Sequence, residues 1–127
     1  MKKFFSGQIL MGIKITKLPK GSSPTTKEDA SLQLVTLKHP SGTNLVPHLH
    51  KNLFHVTGPA ETCFVVKKGK VSIDLYSPDK KFLSKVLLTE GEIFITMNGS
   101  GHGISFLKDS EILEIKNGPF IEDKVLI

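Results

Sequence analysis

His48 and His50 stand two residues apart in a run, 45–50, whose composition reads as a strand, and four of the five histidines lie between His39 and His55. On a strand, residues two apart share a face, with Cα atoms about 7 Å from each other, so the two imidazoles can converge on one metal ion. Which ring nitrogen binds is set by whatever holds the other one. A further histidine, His102, follows the turn Asn98-Gly99-Ser100-Gly101, where glycine lets the backbone bend tightly. On an interior face such histidines are costly unless partnered, and a metal ion with a carboxylate satisfies them together. Beside Pro47 and Lys51 the same pair can equally be solvated surface side chains, and spacing alone leaves both readings open.

The elements that must position these residues read as strands. No segment carries an apolar stripe at helical spacing over more than two turns. Short apolar runs are found instead at 8–15, 32–38, 45–50, 62–66, 70–76, 82–88, 92–96, 104–107, 111–116 and 124–127. Run 70–76 is the clearest, with Val71, Ile73 and Leu75 alternating with Ser72 and Asp74 as a half-buried strand requires. Turn residues such as Pro40-Ser41-Gly42, Ser77-Pro78-Asp79 and Asn117-Gly118-Pro119 separate the runs. Segment 21–31 is polar and reads as a loop. So many short strands in 127 residues must stack or close, which predicts one all-β domain over 1–127, a sandwich or jelly-roll barrel.

At this point the chain resembles the cupin superfamily. The family's second motif is a glycine, five residues, a proline, one residue, a glycine, two residues and a histidine. Gly91, Gly99 and His102 fall at that spacing, with Met97 at the proline position and Phe106 at a position that is usually asparagine. In the first motif, His48-Leu49-His50 and Gly69 match. The resemblance implies a cupin-type jelly-roll β-barrel with His48, His50 and His102 as ligands of a divalent transition metal, and homodimerisation. The tail Glu114-Ile115-Lys116-Asn117-Gly118-Pro119-Phe120, with Gly101-His102-Gly103, is similar to small bacterial cupins grouped with surface-polysaccharide biosynthesis.

The fourth ligand departs from the pattern. The family's glutamate lies seven residues before the glycine, which here is Thr62, and Glu61 is one residue off. In a regular strand that shift turns Glu61 outward and leaves Thr62, Phe64 and Val66 inward. A bulge near Gly58-Pro59 would return Glu61 to the interior. Glu61 therefore ranks first as the fourth ligand and His55, five residues after His50, second, followed by water.

Composition bounds the partners. All 17 basic residues are lysine, so the bidentate clamp that arginine gives phosphates is absent. The net charge of +5 is spread along the chain without a basic stripe carrying interleaved aromatics, which argues against nucleic acid. No apolar run is long enough for a membrane helix. Lys2-Lys3 followed by an interrupted apolar stretch is not a signal peptide, and a cytoplasmic location is expected. Cys63, the single cysteine, reads as a buried inert thiol, His39 as a surface turn residue and Tyr76 as an outward strand end.

The expected function is a metal-dependent enzyme acting on a small polar molecule such as a sugar derivative, with Fe, Mn, Ni, Zn or Cu as Lewis acid or oxygen-activating centre. One alternative is a metal-free sugar ketoisomerase or epimerase using His48 and His50 as acid and base. Another is a non-catalytic module that binds a small molecule.

Overall fold

Val71, Ile73 and Leu75, the alternating residues of run 70–76, are fully buried side chains of one strand in the computed structural model. The structure describes residues 1–52, 58–118 and 123–127. Its strands are β1 (Lys2–Ser6), β2 (Ile9–Ile15), β3 (Gly21–Pro24), β4 (Val35–Lys38), β5 (Thr62–Lys68), β6 (Lys70–Tyr76), β7 (Phe82–Thr89), β8 (Ile93–Thr96), β9 (Gly101–Phe106) and β10 (Glu111–Lys116). Among the described residues there is no helix.

The larger sheet has the order β1-β2-β8-β5-β10, the smaller β7-β6-β9, and β3 and β4 form a separate hairpin. All pairings are antiparallel. From β5 onward the chain steps between the two larger sheets. It leaves the larger one at Gly69 (φ 92°), a left-handed corner that favours glycine, and returns to it through β8 and again through β10. Phe4, Met11, Phe64, Val66 and Phe94 from the larger sheet meet Val71, Ile73, Leu75, Val86 and Leu88 from the smaller one in a single core. The two ladders stay separate, so among the described residues this is an all-β fold of packed antiparallel sheets without a closed barrel.

The centre of the larger sheet is buried on both faces. Its outer side holds a second cluster of Ile13, Ile15, Cys63, Ile95 and Met97, covered by Ala30, Leu32 and Leu34. This explains why β5 and β8 read as continuous apolar runs rather than alternating ones. Segment 25–34 that supplies the cover is fixed locally. Thr25 N–H donates to the Leu34 carbonyl at 2.8 Å, and the Gln33 side-chain amide reaches the Lys27 and Ala30 carbonyls at 2.8 and 2.9 Å.

Four expectations about the elements differ from this structure. Run 45–50 joins no ladder and lies exposed; Pro47 in its middle removes a ladder donor. Run 124–127 is likewise outside any strand. In segment 21–31, expected as a loop, Gly21–Pro24 becomes β3 because β4 offers it a pairing edge, with Ser22 opposite Leu37. β1 was hidden in the stretch weighed as a leader, and pairs back on β2 around Gly7 (φ 60°).

Candidate functional site

His102 lies on β9 opposite Leu75 of β6, and its ring stands edge-on to Phe64 of β5, with centroids 5.1 Å apart and planes at 76°. The imidazole thus bridges the two sheets. Its Nδ1 is buried and has no hydrogen-bond partner among the described residues. Burial holds its pKa below the usual imidazole value; the Glu114 carboxylate opposes that shift and the Lys116 ammonium adds to it. Both charges sit on β10, where Glu114 is the register partner of Phe64 and Lys116 that of Thr62, so they share the inward parity of Phe64. They also pair with each other at 3.6 Å. An interior nitrogen, kept neutral at pH 7 by burial, is suited to accept a proton or hydrogen bond or to ligate a cation, and the nearby Glu114 and Lys116 are exposed side chains.

The depressed pKa has a sign that can be measured. Unfolded His102 protonates near its ordinary value of 6.5, while the folded ring stays neutral to lower pH. The unfolded state therefore takes up the proton first. The ring's contribution to stability is complete above 6.5 and is lost as pH falls through the folded value. Urea unfolding in chelator between about pH 7 and pH 5 should show a loss that is smaller in His102→Leu. Identical pH profiles for the two proteins would mean that the ring is not held neutral.

The other expected ligands lie elsewhere. His48 and His50 sit in the exposed chain between β4 and β5, their rings 5.0 Å apart at 73°. His48 Nδ1–H donates to the Val46 carbonyl at 3.0 Å, which selects the tautomer whose Nε2 is free. His55 lies outside the described residues. Among the described residues no three histidine, cysteine or acidic side chains gather as a metal-holding group.

Glu61 stands apart from His102. It precedes β5 on the outer side of the larger sheet, lining a cleft together with Ile13, Ala30 and Met97. Its Oε1 accepts from Leu32 N–H at 2.9 Å and its Oε2 from Asn98 N–H at 3.4 Å, while its own N–H donates to Asn117 Oδ1 at 2.9 Å. The register of β5 with β8 and with β10 is regular at Thr62, so no bulge within these ladders returns Glu61 to the side of His102. The carboxylate on the parity of Phe64 is Glu114, whose side chain is exposed. Sequence reasoning missed it because the run Glu111-Ile112-Leu113-Glu114-Ile115-Lys116 mixes polar and apolar residues on both parities.

The remaining single residues match their expectations. Cys63 is buried, its thiol pushed up to about 11 by burial, and so is un-ionised. His39 stands in the exposed hairpin with Nε2 3.0 Å from Ser22 Oγ. Tyr76 packs its ring edge against Phe82. No family model, curated protein or solved structure matches this chain. No helix among the described residues is long and apolar enough to cross a membrane.

Proposed function

We propose that the protein binds a small polar molecule between its two larger sheets, at a divalent transition metal held by His102 with His48 and His50, in a cupin-type arrangement. The observation that carries this reading is the partnerless buried Nδ1 of His102. A buried polar atom without a partner is costly, and a neutral imidazole with a free nitrogen is the state in which histidine ligates a metal. The free Nε2 of His48 and the adjacent ring of His50 supply two more donors of the same kind. Glu114 replaces Glu61 as the carboxylate, since both oxygens of Glu61 already accept backbone amides on the other side of the sheet. The metal would supply Lewis acidity toward a ligand oxygen. The chain's own groups would orient that ligand, with Lys116 offering a cation to an anionic part and Phe64 an apolar wall.

Metal analysis of protein purified without a histidine tag tests this reading. His102→Ala and the double variant His48→Ala/His50→Ala should each lose about tenfold or more of the bound metal relative to the unaltered chain. Equal metal content in all three would remove it. A metal-free reading, with His48 and His50 as acid and base, is favoured by their adjacent rings, 5.0 Å apart, which can both act on one ligand. Ligand binding or turnover that survives exhaustive chelation would select that reading.

A further inference from the structure

The outer face of the larger sheet carries a cleft of about 890 Å3 that the His102 site does not use. Ile13 and Met97 are its buried apolar floor, Leu10 and Ala30 also line it, and Glu61 is the buried carboxylate among its walls. Among the described residues Glu61 is the sole charged side chain that is buried, at 4% exposure. None of the ion pairs of the described residues includes it. Its carboxylate has two backbone amide donors, one of them long at 3.4 Å, which leaves acceptor capacity unused. Buried charges are ordinarily paired, and here the open side is the cleft.

Two lysines line the same cleft. Lys3 is the register partner of Ile13, so its side chain rises from the face that forms the floor, and Lys27 lies on the covering segment. Both are exposed, and neither pairs with Glu61. The cleft therefore presents a buried anion at Glu61, an apolar floor and the exposed cations Lys3 and Lys27, with a second, exposed carboxylate, Asp29, near Lys27 on the covering segment. We propose that it binds a small zwitterion with a primary ammonium group, an apolar body and a carboxylate, which is the chemistry of an apolar amino acid or dipeptide. The ammonium meets Glu61, the apolar body covers Ile13 and Met97, and the carboxylate lies toward Lys3 and Lys27. The volume falls within the range of small-molecule sites and suits a dipeptide better than a single residue.

Calorimetric titration with leucyl-phenylalanine, in chelator so that the His102 site contributes nothing, tests the proposal. The free dipeptide should bind at least about tenfold more tightly than its N-acetyl derivative, which lacks the ammonium, and more tightly than its C-terminal amide, which lacks the carboxylate. Glu61→Gln should abolish the discrimination against the N-acetyl form. Should that variant fail to fold, the ligand series on the unaltered protein decides the question alone. No saturation by about 10 mM dipeptide, or equal binding of the free and N-acetyl forms, would overturn the proposal.

Discussion

Phe94→Ala is expected to cost about 3–5 kcal/mol of folding free energy, a large share of what a domain of this size possesses. Phe94 is fully buried in β8, which lies between β2 and β5 in the larger sheet. Its ring meets Phe4 edge-on, with centroids 5.7 Å apart, and so ties the outermost strand of that sheet to its interior. It also covers Gly12, where a Cβ would come within 2.6 Å of the Phe94 Cζ. Truncation therefore removes the ring's buried area and leaves a cavity that neighbours in three strands cannot close. Urea unfolding should show the lowered midpoint. The geometry adds a coupling: Gly12→Ala alone overpacks the ring and destabilises, whereas in a Phe94→Leu background it should cost little. Additive effects of the two changes would show that ring and glycine do not share the space.

Glu61→Ala should cost about 2–4 kcal/mol, chiefly because it strips the acceptors from two amides of segments far apart in sequence. Leu32 belongs to the cover on the outer face and Asn98 to the turn between β8 and β9, and the carboxylate holds both. Removing a buried charge returns part of that loss, since the carboxylate was desolvated. Glu61→Gln keeps one carbonyl oxygen and the shape, and should cost only about 1 kcal/mol. Denaturant unfolding measures both variants. If alanine and glutamine are equally mild, the backbone amides do not depend on this side chain.

The sequence was most legible where one face of a strand is buried and the other wet. β6 was legible to the residue because its alternation coincides with the hydrogen-bonded ladder, whereas β10 has the expected bounds although nearly all of it is exposed. β3 was not legible, since Gly-Ser-Ser-Pro has no strand character of its own and pairs only because β4 is beside it. At the site, the family resemblance implied an inward His102, and its ring packs edge-on against Phe64 between the sheets. The carboxylate opposite it was illegible, because β10 carries apolar residues on both parities. A regular strand through Thr62 turns Glu61 outward, and that is the side on which it lies. The His48 and His50 pair was read from strand spacing, yet the chain there is interrupted by Pro47 and joins no sheet.

The order β1-β2-β8-β5-β10 also governs when the fold can form. During synthesis from the N-terminus, the β1–β2 hairpin is finished early, but its next neighbour is β8, and Ile13 waits for Ile95. β5 in turn needs β10, with Thr62 opposite Lys116. The larger sheet cannot be completed piecemeal, so its loop-closure cost falls due before the contacts that offset it, whereas β6 and β7 of the smaller sheet pair locally. The edge of β2 that pairs with β8 stays open until residues 93–96 emerge, and that interval is when a chaperone, or another copy, competes for it.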